Sequence, residues 1–243
     1  MTEIRDEYLG LVKGLKSQLD AELLAGITEI PVLKPKKKKG ELKQATSEAE
    51  TKSPAGKDKG KLELMKQLYA RVSGCAKCDL HKDRTNLVFG IGNVQARLCF
   101  VGEAPGRDED KQGKPFVGRA GKLLTDIIKA MGLERKDVFI ANILKCRPPG
   151  NRNPETKEIS VCWPYLEEQL KIIQPKVICT LGKIAGMTLL ETETPIGQLR
   201  GKFSQWQGIK VMPTYHPAYL LRNPHAKKIV WEDMKQIMGV LGL

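Results

Sequence analysis

LCFVGEAPGRDEDKQGKPFVG, residues 98–118, decides how the rest of the chain is read. It opens on an apolar run and turns at once into glycine and proline, the pattern of a buried strand that ends in a tight bend. Three more apolar, largely β-branched runs follow at 138–142, 177–181 and 209–215. Helical periodicity occupies 120–131, 155–173 (interrupted near Pro164), 183–190 and 226–240. Strands that alternate with helices predict an α/β fold with a mostly parallel four-stranded sheet covered on both faces. Ligands gather beyond the carboxyl ends of such strands. Here those ends carry GEAPG, Asn142, Leu181-Gly-Lys and His216-Pro, and the four are expected to meet in one crevice.

Composition bounds the rest. The chain has 243 residues, 41% of them hydrophobic, with a net charge of +13. Such a core is ample for a globular domain, and no apolar run reaches the length of a membrane span. The start, MTEIRDE, lacks the basic and apolar parts of a signal peptide, so an intracellular protein without membrane association is expected. Residues 31–62 hold ten lysines against four acidic residues and no aromatic, and are expected to be a disordered linker. Before them, apolar residues recur at near-helical spacing over 4–24. The expected division is a helical extension at 1–30, a lysine-rich linker at 31–62 and a folded body at 63–243. The basic balance points to a polyanionic partner. Against that background, Glu103, Asp108, Glu109 and Asp110 in one turn are unexpected, since carboxylates repel phosphate.

The chain has six cysteines. Cys99 and Cys179 lie inside apolar strand runs and read as small core residues. Cys75 and Cys78 form a C-x2-C pair, and Cys146 and Cys162 lie in loop or helix contexts. Four such thiols suffice for a metal centre, and zinc and an iron–sulfur cluster fit them equally well.

In chain order, C-x2-C, GEAPG, KPFVG, NILKCRPP, a fourth cysteine and HPAYLLRNP resemble the family 4, iron–sulfur, uracil-DNA glycosylases over about residues 64–243. The resemblance implies a three-layer α/β/α fold and a [4Fe–4S] cluster on Cys75, Cys78, Cys146 and Cys162, zinc being the alternative. It also implies an enzyme of base excision repair that flips uracil out of DNA and hydrolyses its N-glycosidic bond. Uracil then leaves as an anion while the sugar gains positive character, so donors must face the base and a carboxylate or held water must face the sugar.

The resemblance assigns roles residue by residue. Phe116 stacks on the base, and Asn142 reads it, because an amide can donate to O4 and accept from N3–H where cytosine presents the reverse pattern. His216 donates to O2 as a neutral imidazole. Gly102 and Ala104 line the pocket, and Glu109 fills the space beside Gly106 that excludes the methyl group of thymine. Leu220 matches the apolar wedge that enters the duplex. Apart from the resemblance, Arg222 and Lys210 are expected to meet phosphate simply as basic residues. Ala104 stands where a better-known branch carries a water-orienting aspartate, so Glu103, the backbone of Ala104 and Asn142 are expected to hold the water. Asp108 and Asp110 are expected to brace the turn. The expected partner is uracil-containing DNA, bound by a monomer, with an unidentified protein as a further partner of the N-terminal helix.

Two other classes fit parts of the pattern. A uracil-binding module of the same fold without turnover is suggested by Ala104, and countered by Phe116, Asn142 and His216 together. A zinc-bearing phosphate cradle is countered by the acidic turn and by the missing lysine–hydroxyl ending of a P-loop.

Overall fold

The structure is a computed structural model that describes residues 55–243. The helical segment expected at 4–24 and most of the lysine-rich stretch lie outside the described residues. Strands β1 (Ile91–Gly92), β2 (Leu98–Gly102), β3 (Phe139–Asn142), β4 (Val177–Leu181), β5 (Ser204–Trp206) and β6 (Ile209–Thr214) form one sheet in the order β1-β3-β2-β4-β6-β5. The four expected strands are its parallel centre. The count expected from sequence is corrected by β1 and β5, two short antiparallel edges too brief to show periodicity.

All five residues of β2 and of β4 are buried, as strands covered on both faces must be. Successive side chains point to opposite faces. Cys99, Val101, Ala141, Ile178 and Val211 enter one core, and Leu98, Phe100, Ile140, Cys179 and Met212 enter the other. Helices α1 (Ala55–Ser73), α5 (Thr156–Ile173) and α6 (Lys183–Leu190) contribute to the first core. Helices α4 (Arg119–Ala130) and α9 (Ala226–Leu241) contribute to the second, which makes the three layers. Short helices α2 (Leu80–Asp83), α3 (Arg107–Gln112), α7 (Ile196–Leu199) and α8 (Pro217–Arg222) lie in the connections.

Two local expectations are revised. Helix α1 begins at Ala55, inside the stretch expected to be linker. Its Met65, Leu68 and Val72 form a helical stripe buried in the first core, and Lys61 Nζ donates to the Ile173 carbonyl at the end of α5 at 2.7 Å. Pro164 does not interrupt α5. The proline removes one backbone donor, but it lies on the exposed face, where water can serve the carbonyl left free.

Beyond β6 a buried ionic knot fixes the chain that leads into the site. The fully buried Asp233 of α9 accepts from the Thr214 hydroxyl at 2.5 Å and is held by Nε and Nη2 of the Arg200 guanidinium. The Gly182 amide donates to the Thr214 carbonyl at 2.8 Å, tying the end of β4 to the end of β6.

Candidate active site and cysteine centre

The carboxyl ends of β2 and β3 and the residues that follow β6 lie close together, through Phe116. Gly102 ends β2 so close to its neighbours that an added Cβ would lie 2.4 Å from Asn142 Oδ1 and 2.6 Å from Phe116 Cζ. Only a residue without a side chain admits that approach. Asn142, the last residue of β3, is 2% exposed, and its Oδ1 is buried without a hydrogen-bond partner among the described residues. A native buried acceptor left unpaired marks a place built for something else to donate. Its backbone carbonyl is by contrast secured by the buried Lys145 Nζ at 3.0 Å, which also donates to Gln169 Oε1 at 2.6 Å.

Phe116 sits with φ 54°, a left-handed backbone that a bulky residue rarely adopts. Its ring faces His216, with centroids 5.6 Å apart and planes inclined by 32°. His216 begins α8, and its Nδ1 accepts the Ala218 amide at 3.1 Å. A neutral ring accepting at Nδ1 carries its proton on Nε2, so the free nitrogen is a donor. Burial, then the nearby Arg222 charge, push the His216 pKa down to about 4 against an opposing pull from Glu109. At neutral pH the ring is therefore an uncharged donor.

The acids of the glycine turn separate into distinct tasks. Glu103 is half-buried, burial raises its pKa, and its carboxyl has no partner among the described residues. Glu109 accepts from the Gly106, Val117 and Gly118 amides at 3.2, 2.9 and 3.1 Å. It occupies the room a side chain at Gly106 would take, since a Cβ there would stand 2.7 Å from Glu109 Oε2. Asp110 is buried and accepts from the Thr85 amide at 2.9 Å, and Asp108 pairs with Arg107 at the surface. Asp108 and Asp110 are thus engaged within the protein, whereas Glu103 remains available.

One expected residue is misplaced by the sequence pattern. Leu220 is 1% exposed and packs in the second core, so it cannot project into a duplex from this position. The adjoining Tyr219 and Leu221 are 39% and 43% exposed. Arg222 lies at the exposed end of α8 within electrostatic reach of His216. Lys210 is the second residue of β6, at the end of the strand opposite Thr214, with its ammonium over the Phe203 ring.

The expected cysteine group does come together. Cys75, Cys78, Cys146 and Cys162 line one cavity with Leu80, Leu87, Leu144 and Tyr165, and none forms a disulfide. Donors reach three of the sulfurs: Tyr165 Oη to Cys75, Arg84 to Cys146 and the Lys145 amide to Cys162, each at 3.3 Å. Among the described residues no three His, Cys, Asp or Glu side chains are gathered as a single metal ion requires. A single zinc would draw its sulfurs to about 2.3 Å from one point. The apolar walls and the donors to sulfur suit a thiolate-bound centre. Cys99 and Cys179 are fully buried in the sheet, as expected.

Arg84 and Arg135, whose guanidinium reaches the Phe116 carbonyl, had no signature in the sequence, and Lys145 lies within NILKCRPP without a role that the motif assigns.

The chain matches the uracil DNA glycosylase superfamily over residues 89–235. It is 49% identical over 185 residues to a type-4 uracil-DNA glycosylase of Sulfurisphaera tokodaii, covering 72% of this chain and 84% of that protein. A type-4 uracil-DNA glycosylase of Archaeoglobus fulgidus is 45% identical over 189 residues, covering 74% of this chain and 95% of that protein. One of Thermotoga maritima is 47% identical over 178 residues, covering 72% and 93%.

Proposed function

The chain belongs to the uracil DNA glycosylase superfamily, with type-4 enzymes among its relatives, and on that premise we propose that it excises uracil from DNA. The observation that carries this reading is the orphaned Oδ1 of Asn142, buried beside the Phe116 ring and opposite a neutral histidine donor. Uracil supplies what is missing there. Its N3–H donates to Oδ1, the amide of Asn142 donates to O4, and Phe116 stacks on the ring. Cytosine would set a lone pair against Oδ1, and a buried mismatch of that kind costs about 1–3 kcal/mol.

As the bond from N1 to C1′ stretches, charge collects on O2, where Nε2–H of His216 is the donor. An uncharged donor stabilises that anion by hydrogen bonding without giving up its proton. Glu103, with its free carboxyl, and the backbone of Ala104 hold the water that adds to C1′. Glu109, fixed by its amide bonds, walls the side of the pocket where thymine carries its methyl group. Leu221 takes the wedge position in place of the buried Leu220, and Arg222 meets a phosphate.

Cys75, Cys78, Cys146 and Cys162 would hold a [4Fe–4S] cluster, which when bound supplies iron–thiolate bonds that staple the loops around it. Four cysteines around one apolar cavity, with donors to three of the sulfurs, support the cluster reading. Hydrolysis of a glycosidic bond transfers no electron, so the centre acts as scaffold. Chelation of iron is expected to melt this lobe and to lower stability and DNA binding together.

The test is selectivity. Oligonucleotides identical except for uracil, thymine or cytosine at one position are incubated with the full chain and its Asn142→Ala variant, then treated with alkali. Breakage at uracil alone, lost in the variant, supports the reading. Equal breakage at uracil and thymine would remove Glu109 from its role, and unimpaired uracil cleavage by Asn142→Ala would remove the base-reading role.

A further inference from the structure

Phe116 holds its left-handed backbone without glycine's freedom, and that conformation must be enforced by its surroundings. The peptide is gripped on both edges. On its amide edge, the Glu109 carboxylate accepts from Val117 and Gly118 at 2.9 and 3.1 Å. On its carbonyl edge, Arg135 donates to the Pro115 and Phe116 oxygens at 3.0 and 3.2 Å, and to the Thr125 hydroxyl at 3.2 Å. Arg135 forms no ion pair among the described residues, so this half-buried cation is spent on backbone carbonyls. Behind the peptide, α4 comes close enough that a Cβ on Gly121 would lie 1.9 Å from the Phe116 oxygen. The ring therefore cannot relax backward.

We propose that Arg135 is a positioning residue for base stacking: with Glu109 it clamps the 115–118 peptide so that the Phe116 ring is fixed where the flipped uracil arrives. Arg135 also opens the short turn Arg135–Asp137 that leads into β3, the strand that ends in Asn142. A guanidinium suits the task because its planar fork reaches adjacent carbonyls and stays charged at any working pH. The inference rests on the stacking role of Phe116 proposed above.

A double-mutant cycle tests both and tells them apart. Arg135→Gln, Phe116→Ala and the combined variant of the full chain are compared under single turnover on uracil-containing DNA, with thermal melting beside them. Arg135→Gln is expected to lower the rate about ten- to a hundredfold, the range for loss of one base–aromatic stack. In the Phe116→Ala background the same change is expected to cost nothing further, because no ring remains to position. A merely structural arginine would lower both backgrounds alike, and that additive result would overturn the proposal, as would a wild-type rate for Arg135→Gln. Should Phe116→Ala itself cleave normally, the stacking role fails first and the clamp loses its purpose. Arg135→Lys keeps the charge without the fork and carries the same cycle if Arg135→Gln does not fold.

Discussion

Gly102→Ala places the smallest possible side chain where the site leaves no room. Its Cβ would stand 2.4 Å from Asn142 Oδ1 and 2.6 Å from Phe116 Cζ, about 1 Å inside ordinary contact. Neither neighbour is free to withdraw. The Asn142 carbonyl is held by Lys145 at 3.0 Å, and the Phe116 peptide is held by Glu109 and Arg135. Whichever yields, a group proposed to contact the base moves by about 1 Å, a displacement that typically costs about a hundredfold in rate. The strain also lowers stability by about 1–3 kcal/mol, typical of overpacking. For a domain of this size that is a fall in Tm of roughly 2–12 °C. Single-turnover cleavage of a uracil oligonucleotide, well below the variant's Tm, separates the two effects. A folded Gly102→Ala protein cleaving at the wild-type rate would refute the close convergence of Gly102, Asn142 and Phe116 as the basis of the site.

Other perturbations follow from the same geometry. His216 has its pKa lowered to about 4, so its donor form persists above that value and is lost as pH falls through it. The rate is expected to show no His216-dependent step between about pH 5 and 8, whereas a rate that declines through that range only while His216 is present would mean that the protonated ring is the active form. The same depressed pKa gives stability that is full above the unfolded value and falls with pH toward the folded one, readable as acid sensitivity removed in His216→Ala. Leu221→Ala is expected to slow excision from duplex DNA with little change in melting. Leu220→Ala, which empties a buried position, is expected to cost about 2–5 kcal/mol of stability. Asp233→Asn breaks the buried contact with Arg200 and is expected to cost about 3–5 kcal/mol in denaturant titration, with activity retained in the protein that stays folded.

The central strands were legible because each is a short run of apolar, β-branched residues closed by glycine, asparagine or histidine. The edge strands Ile91–Gly92 and Ser204–Trp206 were not, since two or three residues carry no period. The helix from Ala55 was hidden by its lysines, and its apolar stripe acquires meaning only against α5. Within the site, motif order brought out the four cysteines, Phe116, Asn142 and His216. Spacing from His216 could not tell Leu220 from Leu221, because only the packing of α8 on the second core decides which faces outward. Arg135 and Lys145 escaped notice because they serve main-chain carbonyls and distant neutral side chains, which leave no trace in charge patterns. The acidic turn of the opening stretch resolves in the same terms. Glu109 and Asp110 hold backbone amides, and Glu103 alone stays free to face a substrate.

The most direct measurement is of the released base. The iron-loaded full chain is mixed in excess with duplex DNA bearing one uracil, and free uracil and abasic sites are quantified from the same reaction. One free uracil is expected for every abasic site, with no free thymine from the matched control. Tight binding of the uracil duplex with no free base released would contradict it, and would make the pocket around Asn142 one that recognises uracil without removing it.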